Sequence, residues 1–113
     1  MKGVLIVDDE EDLRESLREF LEHEGWSVAT AADGAEALQR MDDGLPGLVI
    51  LDLLMPVMNG SELYARMQKD ERLSGVPVVI STSDPSRAPT GVPVMKKPIN
   101  LNRLLATIKQ HCR

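Results

Sequence analysis

Val4-Leu5-Ile6-Val7, Leu48-Val49-Ile50-Leu51 and Val78-Val79-Ile80 are apolar without interruption, and a shorter run follows at Val94-Met95. Runs this short, bounded by Gly, Pro or acidic residues, suit strands buried on both faces, as the interior of a parallel sheet requires. Between them the pattern changes to helical spacing. Leu13, Leu17, Phe20 and Leu21 recur on one side, with Arg14, Glu15, Arg18, Glu19 and Glu22 on the other, which predicts an amphipathic helix that Gly25 ends. Trp26 to Ala31 reads as a second strand, Asp33-Gly34 as a turn, and Ala35 to Met41 as a short helix broken by the stretch from Asp42 to Gly47. After Gly60, Ser61 is placed to cap a helix that carries Leu63, Tyr64 and Met67 and ends near Ser74-Gly75. Pro77 to Thr82 makes the fourth strand and Val94 to Lys97 the fifth. Asn100 then caps a last helix with Leu101, Leu104, Leu105, Ile108 and Cys112 on one face.

One crossover departs from this alternation. Pro85, Pro89, Pro93 and Gly91 fall within Ser83 to Pro93, and prolines at that density permit at most one helical turn. Five strands joined by right-handed crossovers predict an α/β fold, a parallel sheet with helices on both faces. With no internal repeat, linker or low-complexity tail, residues 1–113 read as a single domain.

Composition narrows the function without choosing it. A chain of 113 residues, 42% apolar, can bury a core without staples. Its 18 acidic against 13 basic residues give a net charge of -5, which argues against a nucleic-acid or anionic-membrane surface on this chain. Cys112 is the single cysteine, so no intramolecular disulfide forms. With no signal peptide and no stretch long enough to span a bilayer, a soluble protein of the reducing cytoplasm is expected.

The candidate chemistry lies where strands end. Asp8 and Asp9 follow strand one, Asp52 ends strand three, Thr82 ends strand four and Lys97 ends strand five. A parallel sheet brings all of these to one rim, the edge at which open α/β sheets bind ligands. Clustered carboxylates repel and resist ionisation unless a cation sits among them, and a hard divalent ion such as Mg2+ is the natural remedy. Lys97 adds a positive point charge for an anionic oxygen, and Thr82 adds a hydroxyl donor. Around a carboxylate nucleophile, these groups suggest phosphoryl transfer to Asp52. Taken alone, Asp8-Asp9 is also an acidic helix start, and Glu10, Glu11 and Asp12 read as dipole and solvent residues. Thr82 has hydroxyl neighbours in Ser81 and Ser83. Lys96 competes with Lys97, and the adjacent Pro98 decides for Lys97, leaving Lys96 solvated on the other side of the strand. Met55, Met58, Met67 and Met95 read as packing, and His23 and His111 lie too far apart along the chain to suggest a metal pair.

The whole chain resembles a receiver domain of the bacterial two-component response regulators. Asp8-Asp9 after an apolar strand, Asp52 followed by Met55-Pro56 and Gly60, Thr82 after strand four, and Lys97-Pro98 after strand five match that family's motifs in order. The resemblance implies a flavodoxin-like, doubly wound sheet of strand order 2-1-3-4-5. It also implies that Asp52 accepts a phosphoryl group from the phosphohistidine of a sensor histidine kinase or histidine phosphotransfer protein. Mg2+ would be held by Asp9 directly, by Asp8 mostly through water, by Asp52, and by the backbone carbonyl of Leu54. Lys97 would contact a phosphoryl oxygen, Thr82 would swing toward the phosphoryl group, and the Lys97-Pro98 peptide would be cis. Ser83, Asp84 and Leu54 would tune water access. Activity would be signalling through a downstream protein target, without turnover of a separate substrate.

Two departures stand against that pattern. The helix between strands four and five should be shortened or missing, and the family's aromatic switch position, three before the lysine, holds Val94. Both touch the surface through which relatives dimerise or dock targets. Other readings of the residues are a phosphorylation-independent interaction scaffold of the same fold and a Mg2+-dependent aspartyl phosphatase. The phosphatase lacks support because Asp52-Leu53-Leu54 has no second acid two positions on. A flavin site would want Gly, Ser and Thr after strand one, where this chain has acids.

Overall fold

The computed structural model describes residues 3–55 and 58–112. Its elements are β1 (Val4–Val7), α1 (Glu11–His23), β2 (Val28–Ala31), α2 (Gly34–Asp43), β3 (Leu48–Asp52), α3 (Gly60–Lys69), β4 (Val78–Thr82), β5 (Val94–Lys96) and α4 (Leu101–His111), with a single 3-10 turn at Pro85–Arg87. The strands form one parallel sheet of order β2-β1-β3-β4-β5. This is the flavodoxin-like order that the motif resemblance implies. The proline-rich crossover is reduced to the 3-10 turn, as its composition requires.

Alternation along the buried strands divides the core in two. Leu5, Val7, Val49, Leu51, Val78 and Ile80 face α2 and α3, meeting Ala37, Met41, Leu63 and Met67. Val4, Ile6, Leu48, Ile50, Val79 and Met95 face α1 and α4, meeting Leu17, Leu21, Leu104 and Ile108. Where a full helix would cover β4 and β5, the half-buried Ala88, Val92 and Val94 pack on the α2/α3 side instead. The position at which the family pattern would carry an aromatic residue thus holds a half-buried Val94 packed on that core.

Several element ends differ from the sequence reading, each for a local reason. Strand β2 begins at Val28 because Trp26 belongs to the end of α1. Its N–H donates to Leu21 O at 2.9 Å and that of Gly25 to Glu22 O at 3.0 Å, a Schellman cap closed by Gly25 at φ 94°. The half-buried indole then packs against the α1/α4 core. Helix α3 is capped by Asn59 and not by Ser61, since the Asn59 side chain accepts from Glu62 N at 2.9 Å. It stops at Lys69, where Asp70 turns the chain by accepting from Arg72 N and Leu73 N. In α4, Leu104 and Ile108 are buried, whereas Leu101 in the first turn is exposed and Cys112 lies just past the helix, half-buried.

Candidate functional site

The order in which strands are added to the sheet reverses between β1 and β3, and the site opens at their carboxyl ends. The Asp8 N–H donates to Ala31 O at 3.1 Å, which prolongs the β1–β2 ladder by one residue. The acid side chain is thereby held at the rim and is 3% exposed. Its Oδ1 accepts from Glu10 N at 2.9 Å, turning the chain into α1 and leaving Asp9 exposed at the mouth. Arg14, on the first turns of α1, reaches back to donate to the Asp8 carbonyl at 2.9 Å and so fixes the peptide that joins the two acids.

Asp52 is the last residue of β3 and is 5% exposed. Directly behind it, Gly60 N donates to Leu53 O at 2.9 Å. A Cβ on Gly60 would collide with the Asp52 carbonyl and crowd the Leu53 Cα. The glycine at this spacing thus serves close backbone approach at the nucleophile candidate. Pro56 and Val57, in the intervening loop, lie outside the described residues. Leu54 leaves the core, its side chain 54% exposed at the mouth.

From β4 and β5 come the remaining groups. Lys97 N donates to Thr82 O at 2.8 Å just beyond the β4–β5 ladder, and the Lys97-Pro98 peptide is cis. The Lys97 ammonium lies 3.0 Å from Asp8 Oδ2, 3.6 Å from Asp52 Oδ1 and 3.5 Å from Glu10 Oε1. Thr82, itself buried, accepts from Asp84 N at 3.1 Å and stands 3.4 Å from the Asp84 carbonyl. Asp9, Glu10, Asp52, Leu54, Thr82, Ser83 and Lys97 line one open cavity of about 300 Å³. One carboxylate oxygen from each of Asp8, Asp9 and Asp52 lies within 4.8 Å of the others, a hard-oxygen donor set that fits a divalent cation.

The electrostatics show what that proximity costs. Burial above all, and then the Asp8 carboxylate, push the Asp52 carboxyl up to about 6 against the opposing pull of Lys97. Lys97 moves the other way: burial disfavours its charge, but its hydrogen bond to Asp8 and the charges of Asp8, Asp52 and Glu10 outweigh burial and raise its pKa. Between the unfolded value of about 3.9 and the folded one, the folded state binds the extra Asp52 proton, so ionising Asp52 lowers stability as pH rises through that window. In chelator, we expect the stability of Asp52→Asn relative to the wild type to change little at pH 4. By pH 7 the variant should lead by about 2–3 kcal/mol. Denaturant unfolding at a series of pH values measures this difference, and a difference that does not vary with pH would contradict the account.

Asp8, Asp9, Asp52, Leu54, Thr82, Ser83 and Lys97, singled out from the sequence, all come to this rim. Two further contributors were not: Glu10, the third carboxylate on Lys97, and Arg14, which braces the Asp8 carbonyl. For Glu10 the available signal was its place in an acid run leaving a strand. For Arg14 there was none, because a contact back to a main-chain carbonyl leaves no spacing rule.

The profile of the response regulator receiver domain matches residues 4–109. The chain belongs to that family. It is 34% identical, over 96% of its length, to the transcriptional regulatory protein CrdR of Helicobacter pylori, and 38% identical, also over 96%, to the CpxR homolog of Haemophilus influenzae. It spans about half the length of these curated relatives, 54% and 49%. Among solved structures it is similar to the Vibrio cholerae chemotaxis protein CheY4, with a TM-score of 0.88, 29% identity and 98% of each chain covered. It is also similar to the response regulator TrrA of Thermotoga maritima in complex with Mg(2+)-BeF, with a TM-score of 0.85, 32% identity, and 97% of this receiver and 98% of that chain covered. Receiver domains of this family are regulatory modules of two-component signalling that accept a phosphoryl group. No helix among the described residues is long and apolar enough to cross a membrane.

Proposed function

We propose that this receiver takes a phosphoryl group on Asp52 from the phosphohistidine of a sensor histidine kinase or phosphotransfer protein, and signals to a protein target without turning over a separate substrate. The observation that carries this reading is the arrangement of two carboxylates, Asp8 and Asp9, and one ammonium, Lys97, around a nearly buried Asp52 that still faces an open cavity. The donor set fits Mg2+: Asp8, Asp9 and Asp52 offer carboxylate oxygens, and the Leu54 carbonyl is the remaining candidate ligand. When bound, Mg2+ supplies positive charge that lowers the repulsion among the carboxylates and between them and an incoming phosphoryl group. The TrrA complex, which contains Mg(2+)-BeF in a chain of the same fold, supports this assignment.

The chain's own groups do the rest. An Asp52 oxygen attacks phosphorus while the bond to the donor imidazole breaks, so one P–N bond is exchanged for one P–O bond. Lys97, already held among carboxylates, holds a phosphoryl oxygen in the product. Thr82 gives up its contact with the Asp84 backbone for one to the phosphoryl group, which releases the turn at Pro85–Arg87 and carries the charge change to the surface.

Acetyl phosphate with Mg2+, followed by intact mass, tests the reading. We expect at most one phosphoryl group per chain, and none in chelator. Labelling that ignores the chelator, or sustained release of many phosphates per chain at the rate of a phosphatase, would overturn it. Metal binding has its own signature, since a cation that binds only the folded state stabilises by about 2.7 kcal/mol at a hundredfold excess over its Kd. Mg2+ should therefore raise the unfolding midpoint of the wild type, and Asp9→Asn should lose most of that rise in a thermal melt. An unchanged rise in the variant would remove Asp9 from the ligand set.

A further inference from the structure

Among the described residues, the Ser81 hydroxyl is a buried side-chain polar atom without a hydrogen-bond partner. The residue is 1% exposed, and a hydroxyl sealed from water and unpaired costs free energy that a strand position does not need to spend. Its place makes the orphan informative. Ser81 pairs with Asp52 across the β3–β4 ladder and with Met95 across β4–β5. Ile50 and Val79, two residues earlier on the same strands, pair with each other and both pack in the α1/α4 core, as does Met95. Strand alternation therefore puts Asp52 and Ser81 side by side on one face, on strands about 4.8 Å apart. Ser81 is absent from the lining of the cavity that Asp52 faces, so an incoming phosphodonor does not touch it. Its relation to Asp52 is through the strand register, as the residue paired with it on β4. Among the described residues, the cation paired with the carboxylate is Lys97, which stands at 3.6 Å, beyond hydrogen-bond length.

We propose that the Ser81 hydroxyl is a positioning group for Asp52, unpaired in the resting receiver and donating to the Asp52 carboxylate once that group turns to attack. The proposal rests on the phosphoacceptor reading and adds to it. A nucleophilic carboxylate uses one oxygen for the new bond and needs the other held; a donor on the neighbouring strand, outside the cavity lining, fixes its rotamer without blocking the cavity. Because the bond is missing at rest and present when loaded, the serine also biases the two-state equilibrium toward the loaded form. No covalent change takes place at Ser81, whose proton stays on its oxygen.

The test uses the full chain as wild type, Ser81→Ala and Ser81→Cys, following the labelling rate with acetyl phosphate and Mg2+ and, separately, thermal unfolding in chelator. We expect both variants to label roughly tenfold more slowly, the factor carried by one hydrogen bond to a charged group. Their unfolding midpoints in chelator should be no lower than that of the wild type, since the resting state loses no bond. Normal labelling of Ser81→Ala overturns the proposal. So does a lower midpoint for Ser81→Ala in chelator, which would reveal a resting partner. Wild-type labelling restored by Ser81→Cys but not by Ser81→Ala would also overturn it, because side-chain volume would then be what matters. A wild type that does not label at all overturns the phosphoacceptor reading itself, and this proposal with it.

Discussion

Asp52→Asn should abolish phosphoryl incorporation while leaving a folded and somewhat more stable protein. The amide keeps the size and planarity of the carboxylate but cannot act as an anionic nucleophile, so labelling should drop to background, a loss of at least about a hundredfold. Stability moves in the other direction because the native carboxylate is held at the end of β3 by the fold against its own solvation, with Asp8 beside it. An amide at that position carries no charge to desolvate. Loss of labelling together with a gain in stability is therefore the signature of a site that accepts strain for function. Intact mass with acetyl phosphate and Mg2+, paired with a denaturant melt, measures both. Residual labelling at the wild-type rate would place the acceptor elsewhere in the chain.

Lys97→Ala should have the second largest effect, and on two observables. The ammonium is the positive group that approaches both Asp8 and Asp52, and both acids are nearly buried. Removing one partner of a buried charge pair costs roughly 3–5 kcal/mol, because the remaining charge has lost its compensation. In chelator the variant should melt well below the wild type. Saturating Mg2+ should recover much of the difference, since a divalent cation among the same oxygens replaces the lost charge. Switching should not recover. Without Lys97 the phosphoryl oxygen has no ammonium to draw it down, and Thr82 should remain with the Asp84 backbone. Backbone amide spectra with beryllofluoride and Mg2+ report that movement through residues 82–88. A full response in Lys97→Ala would remove the lysine from the switch.

The parts of the fold that could be read from the sequence were those where one physical signal dominates. The uninterrupted apolar runs at Val4–Val7 and Leu48–Leu51 mark strands covered on both faces, and the structure buries every one of those residues. Three prolines and a glycine between β4 and β5 leave a single 3-10 turn in place of a longer helix. Parallel pairing then brings Asp8, Asp9, Asp52, Thr82 and Lys97 together without further information. Signals that compete locally were harder to place. Asn59 and Ser61 are both good caps, and the extended backbone at Asn59, φ -74° and ψ 170°, selects the first. Trp26 has the β propensity of a strand opener, yet the glycine cap of α1 turns its side chain into the core. Leu101 follows the apolar spacing of α4 but sits in the first turn, ahead of the point at which the helix meets the sheet. Arg14 and Ser81 depend on strand register and on a contact with main chain, and neither is encoded in spacing along one element.

Phosphoryl transfer to one aspartate can be read out at the residue itself. Borohydride reduces an acyl phosphate to the alcohol, so treating the acetyl phosphate–labelled protein and mapping its peptides by mass locates the acceptor. Reduction to homoserine is expected at position 52 alone, in an amount that tracks Mg2+. Reduction at Asp8 or Asp9, or a stable phosphoryl group on a serine or threonine with position 52 unchanged, would contradict it.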